Sequence, residues 1–449
     1  MKLLRNARIP HGSFTRVVDI LHDERILQVL PVGECTHEGV DTIDAEGYLA
    51  LPGAIDTHVH FNDPGFTQRE DFASGTCAAA AGGVTTVVDM PCTSLPPVTS
   101  VAALEHKLAA IGGKAHVDYA LWGGIRGGDI DQKEIERLWE AGVVGFKSYT
   151  VSGMDTFSAL SPQEMDIVAA MCRGRGVLLA FHAEDPTVIA KLAMRQWDWA
   201  DFAEWSRMRP AEAEETAVRD IISRYHGCRM HIVHVGAKTA VMAVLAAREA
   251  AADITWETAP HYLAFTSEDL ARLKGRLKTA PPVKSAADRD FLRDCLIDGR
   301  LDWVASDHAG CDWNTGKTAI DLREVYNGIP CVQWQLPWLA SEFLATERIT
   351  PARLAELTSG NPARRLGIWP RKGCLDPGSD ADFVLLDCAS PWTAREQDLL
   401  SLGKFSPFNG QCFSCRVRRT ILRGESVYVD GVGVIGKRGC GHWVRRISH

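Results

Sequence analysis

What the sequence lacks narrows the field first. No stretch of the 449 residues approaches about 18 uninterrupted apolar positions, so no membrane span is expected. Met1 to Arg8 alternates charge with apolar side chains and has no secretory hydrophobic region. Positive charge is in deficit: the net charge is −8, which argues against a nucleic-acid partner. Arginine groups at Arg416, Arg418, Arg419 and at Arg445, Arg446 read as solvated or subunit-contact surface. The 13 cysteines are odd in number and have no disulfide-framework spacing, which favours a reducing cytoplasm. Cys412-Phe413-Ser414-Cys415 has no second pair and reads as structural. Close repeats of solenoid length are absent too.

What is present is a soluble, globular composition, 46% apolar and 24% charged, long enough for a large barrel and a satellite domain. After Pro52, short Val/Ile-rich runs alternate with longer Ala/Leu/Glu-rich helical patterns. The runs are Ala54–Val59, Val84–Met90, His116–Leu121, Val143–Tyr149, Val177–His182, Met230–Val235, Ile254–Glu257 and Leu301–Ala305. Eight βα units over about 320 residues predict an α/β fold, a (β/α)8 TIM-like barrel, over residues 51–370. Residues 1–50 and 371–449 carry short alternating strands instead (Lys2–Ile9, Val17–Leu21, Arg25–Val29, Ala381–Leu386, Val417–Leu422, Ser426–Val429). They predict one small β-sandwich domain built from both chain ends.

In such a barrel, chemistry sits at the C-terminal strand ends. His58 and His60 alternate in register at the end of the first run, so both face one way. Lys147 lies near the end of the fourth run, His182 ends the fifth, His234 the sixth and Asp307 the eighth. Each alone has a structural reading. Six at matching ends of five strands point to a metal site. An ammonium cannot ligate, so a lysine in that set must be neutral or modified. Addition of carbon dioxide to the neutral amine gives a carbamate, whose two oxygens can bridge two ions.

With these residues the chain resembles the amidohydrolase superfamily, in its cyclic-amide branch of allantoinases, hydantoinases/dihydropyrimidinases and dihydroorotases. The resemblance spans essentially the whole chain. It includes Glu70-Asp71-Phe72, Ala79-Ala80-Ala81-Gly82-Gly83-Val84-Thr85-Thr86, Ala259-Pro260-His261-Tyr262-Leu263, Lys278-Thr279-Ala280-Pro281-Pro282, Asn361-Pro362-Ala363-Arg364 and Gly378-Ser379-Asp380-Ala381-Asp382. It implies two divalent ions. His58, His60 and Asp307 would hold the buried one, His182 and His234 the exposed one, and carboxylated Lys147 would bridge them. Zinc suits these donors; manganese, cobalt and iron remain alternatives. Asp307 is implied as the proton carrier between the attacking water and the leaving ring nitrogen, the alternative being a ligand with no proton role. A homo-oligomer, as a tetramer, is implied likewise, and a small cyclic amide is the expected partner.

Within the branch, Phe61-Asn62-Asp63-Pro64-Gly65 stands where dihydroorotases place an arginine. Ser152 stands where hydantoinases place a tyrosine, while Tyr149 is expected to point elsewhere. The pattern is most similar to allantoinases, with departures at Ala259, Thr279 and Lys284. Asn62, Ser152, Ala280 and Gly328 are the candidate substrate contacts, each with an equal claim to a turn or packing role. The Trp197–Trp205 stretch is expected to be structural, with a lid or subunit contact as the alternative. A non-catalytic scaffold is the reading from another class; loss of the ligand residues would mark it, and all are present.

Overall fold

The computed structural model describes residues 1–37 and 39–447, and the chain after Pro52 forms a barrel of eight parallel strands. They are Ala54–His60, Val84–Asp89, Asp118–Leu121, Phe146–Tyr149, Leu178–His182, Arg229–Ile232, Ile254–Thr258 and Trp303–Val304. Two are resumed after a break. Gly123–Gly124 continues the third and pairs with the fourth, and His308–Ala309 continues the eighth and pairs with the first. These resumptions close the ring. The first two strands are buried at every position, as parallel strands covered on both faces must be.

The sixth and eighth strands stop earlier than their apolar runs suggest. Arg229–Ile232 leaves His234 two residues past the strand, and Trp303–Val304 leaves Asp307 three residues past. Both residues take left-handed backbone, with φ of 40° and 49°, and so does Asn62 at 55°. Non-glycine residues avoid that region unless their surroundings impose it. All three lie at the barrel mouth.

Both chain ends meet in one nine-stranded sheet. Its order is Gly433–Val434, Glu425–Val429, Arg416–Leu422, Phe383–Asp387, Leu49–Pro52, Lys2–His11, Phe14–His22 and Ile26–Leu30, with Asp41–Asp44 beside Lys2–His11. Leu49–Pro52 bridges the two ends, antiparallel to Phe383–Asp387 and parallel to Lys2–His11. Leu4, Ile20, Phe383 and Ile421 form part of this sheet's own apolar cluster. A buried ion cluster ties it to the barrel: Lys372 lies 2.6 Å from Asp118 on the third barrel strand, 2.7 Å from Asp382 and 3.0 Å from Asp380. Close packing does so again at Gly83, just before the second strand. Its φ is 81°, and a Cβ there would meet Val384 Cγ2 at 2.6 Å. Among the described residues no helix is long and apolar enough to cross a membrane.

Candidate metal centre

His58, His60 and Asp307 come together at the mouth, with one ligand atom from each lying within 4.8 Å of the others. Asp307 Oδ1 is 3.3 Å from His58 Nε2 and 3.7 Å from His60 Nε2. His58 turns its other nitrogen, Nδ1, to Glu257 Oε1 at 2.8 Å. A carboxylate there places the proton on Nδ1 and leaves Nε2 as a bare electron pair. Burial opposes charge on His60, but Cys92 and Asp307 outweigh it and push its pKa up to about 10. Burial likewise opposes the Asp307 carboxylate, yet His58 and His60 hold it below the usual range. The local field favours a cation.

Lys147 is fully buried on the fourth strand. Among the described residues no carboxylate lies within ion-pair distance of it; its nearest recorded polar partner is the Ser148 carbonyl at 3.5 Å. Burial pulls its pKa down to about 7, against the pull of Cys92, Asp307 and Glu257. A neutral amine at physiological pH is the form that can take up carbon dioxide. Tyr149 corrects the expectation that it points elsewhere. Its ring lies 4.0 Å from Lys147 Nζ and stacks on His182 at 5.2 Å, and its hydroxyl meets Cys92 Sγ at 3.1 Å.

His182 Nδ1 and His234 Nε2 face each other at 3.1 Å. His182 Nε2 is 2.9 Å from Glu184 Oε2, which accepts its N–H and leaves Nδ1 free to ligate. Among the described residues His234 Nδ1 has no hydrogen-bond partner. Burial lowers both histidines, His182 to about 4 and His234 well below its ordinary value, so both are neutral at pH 7. Ring centroids place His234 5.2 Å from His58, so the two histidine groups adjoin.

The substrate candidates differ in character. Asn62 is buried; its Nδ2 donates to the His60 carbonyl at 2.9 Å, and its Oδ1 has no partner. Gly328 is buried against the resumed eighth strand, where a Cβ would meet the Ala309 Cβ at 2.6 Å. Ala280 is half-buried beside Thr279, whose carbonyl accepts from Trp205 Nε1 at 2.7 Å. Ser152 is also half-buried, and its hydroxyl accepts from the Met154 N–H at 3.1 Å, a local turn contact. In the tryptophan stretch Trp205 is buried, while Trp197 donates to the Leu192 carbonyl at 2.9 Å.

Residues 49–427 match the amidohydrolase family. The chain is 40% identical to an allantoinase from Rubrobacter xylanophilus over 406 residues, covering 89% of this chain and 88% of that one. It is 31% identical to an L-hydantoinase from Paenarthrobacter aurescens, covering 100% and 98%. Among solved structures, L-hydantoinase (dihydropyrimidinase) from Arthrobacter aurescens superposes with a TM-score of 0.93 at 30% identity, covering 99% of both chains. Dihydropyrimidinase from Brevibacillus agri gives 0.91 at 27%, covering 99% and 98%. The chain belongs to the amidohydrolase family.

For an amidohydrolase, the donors here fit divalent ions. Imidazole and carboxylate are borderline ligands that zinc accepts, two histidine nitrogens face each other at 3.1 Å, and among the described residues the buried Lys147 has no carboxylate within ion-pair distance. Four residues support this set without having been singled out as site residues in the sequence, although His261 lies in the Ala259–Leu263 motif. Buried Glu257 accepts from His58, from Thr57 Oγ1 at 2.7 Å and from Trp303 Nε1 at 2.7 Å. A carboxylate at the end of an otherwise apolar strand was the available signal. Glu184 and Arg209 form a buried bidentate pair behind His182. His261 is buried with both ring nitrogens unpartnered, and burial lowers its pKa to about 4.

Proposed function

We propose that this chain opens the ring of a cyclic amide by hydrolysis, with two divalent ions held by His58, His60, Lys147, His182, His234 and Asp307. Allantoin is the substrate and allantoate the product. The observation that carries the reading is the set of imidazoles, carboxylate and buried amine at one barrel mouth, in a chain 40% identical to an allantoinase. Zinc is the ion this donor set suits, and Lys147, once carboxylated, would help hold the pair. The protein works as a homo-oligomer, a tetramer, in the cytoplasm.

When bound, the ions lower the pKa of water from about 15.7 towards about 7 and polarise the ring carbonyl. The remaining work falls to the chain. Glu257 and Glu184 fix the tautomers of His58 and His182. Asp307 takes the proton of the attacking water and delivers it to the ring nitrogen as the carbon–nitrogen bond breaks. Asn62 Oδ1, a buried acceptor without a partner, suits a ureide N–H. His261 offers two further unpaired nitrogens beside the field of Asp307.

A hydantoinase is the second reading, favoured by the 0.93 superposition on an L-hydantoinase. The test is ring opening by metal-loaded protein of allantoin, hydantoin, dihydrouracil and dihydroorotate, each followed directly. Turnover of allantoin well above the other three supports the proposal. Preference for hydantoin or dihydrouracil replaces the substrate and keeps the chemistry. No turnover of any of the four, with two ions bound, removes the ring assignment.

A further inference from the structure

Behind the two histidines assigned to the exposed ion runs a largely buried chain of charges. Glu184 sits between His182 and Arg209. Its Oε2 takes His182 Nε2 at 2.9 Å, and Arg209 grips both oxygens, with Nε at 3.0 Å from Oε1 and Nη2 on Oε2. The Arg209 carbonyl accepts from Lys284 Nζ at 2.6 Å, and the same ammonium pairs with Glu214 Oε1 at 3.0 Å. Glu214 Oε2 then accepts from the backbone N–H groups of Gly236 at 2.9 Å and Ala237 at 3.1 Å. Those two residues follow His234 and Val235 directly. The network therefore begins at one histidine and ends on the loop that carries the other. Glu184, Glu214 and Lys284 are buried.

We propose that Arg209 is a positioning residue that sets affinity for the exposed ion, its side chain acting through Glu184 on His182 while Lys284 and Glu214 tie its backbone carbonyl to the His234 loop. The proposal rests on the two-ion reading above. A buried carboxylate that orients a ligand histidine must itself be held, and Arg209 holds it with a fork matched to its two oxygens. The buried-ion group is served separately, by Glu257. The architecture thus divides the two ions between two supports. Lys284 places a single ammonium within reach of both a backbone carbonyl and Glu214.

The experiment measures ion content and affinity, independent of any substrate. Parent, Arg209→Gln and Arg209→Lys proteins are loaded with zinc and titrated with a chelator, and the ions retained per chain are counted. Release from the parent proceeds in two steps. In Arg209→Gln the weaker step moves by about 10–100-fold while the tighter step stays in place, as expected for loss of an outer partner of a ligand. Arg209→Lys recovers part of that shift. Lys284→Gln, which leaves the Arg209–Glu184 pair intact, gives a smaller shift of the same step and covers the case in which Arg209→Gln does not fold. Equal weakening of both steps, or no shift in either variant, overturns the proposal. A parent that binds a single ion in one step instead overturns the two-ion reading itself.

Discussion

Glu257→Gln isolates the support of the buried ion. The carboxylate divides its work: Oε1 takes His58 Nδ1, while Oε2 takes Thr57 Oγ1 and Trp303 Nε1, with His231 Nε2 at 3.3 Å. Glutamine has one oxygen for these two sides. If that oxygen stays with Trp303, the amide NH2 meets His58 Nδ1. The imidazole proton must then move to Nε2, the atom 3.3 Å from Asp307 that should ligate. If the oxygen turns to His58, the NH2 confronts the Trp303 N–H, which keeps only Thr57 Oγ1 at 2.9 Å, and losing its hydrogen bond to a charged group costs about 1.5–3 kcal/mol. The first arrangement lowers metal affinity and the second lowers stability. The expected result is a 10–100-fold weaker tight step in zinc titration, equivalent to about 1.4–2.7 kcal/mol, together with a melting temperature lower by a few degrees. Affinity and melting temperature both matching the parent would refute the reasoning that Glu257 fixes the His58 tautomer.

Three further outcomes follow from the same geometry. Lys147→Met, similar in length but unable to form a carbamate, should lose paired metal binding and turnover together, by zinc counting and ring-opening assay, yet leave the metal-free fold no less stable because a buried amine without a counter-charge is removed. Asp307→Asn should lower turnover by at least about 10²-fold, the usual contribution of a proton carrier, and should weaken the tight zinc step as well. The metal-free protein should lose stability as pH falls from about 6.5 towards 4, read as the urea midpoint: His182 and His261 titrate near 4 when folded and near 6.5 when unfolded, so the unfolded chain binds protons the folded one refuses. By the same sign, Lys147, Lys278 and Lys317, each lowered to about 7 by burial, should make stability rise between about pH 7 and 10.5.

The barrel was legible because its strands announce themselves twice, by β-branched apolar runs and by ionisable residues at their ends. His58 and His60 sit inside one strand, and although its pairing with the second strand is irregular between Asp56 and Val59, both side chains reach Asp307. His234 and Asp307 sit beyond their strands, in left-handed turns that apolar runs do not reveal. Tyr149 illustrates a related limit. Two residues past Lys147 on the same strand, it shares that side chain's face, and strand alternation could have placed it in the site. Glu257, Glu184 and Arg209 were harder to find. Their importance lies in contacts between elements far apart in sequence, such as Glu257 with Thr57, that no local pattern carries. The terminal sheet depends on a similar long-range event, the insertion of Leu49–Pro52 between strands from opposite chain ends.

The most direct test of the account is allantoin turnover counted against zinc bound per chain, starting from chelator-stripped protein in the presence of bicarbonate. The account predicts no turnover without metal, and activity that reaches its maximum as the second ion per chain binds. Turnover by stripped protein, or inactivity towards allantoin with two ions in place, would contradict it.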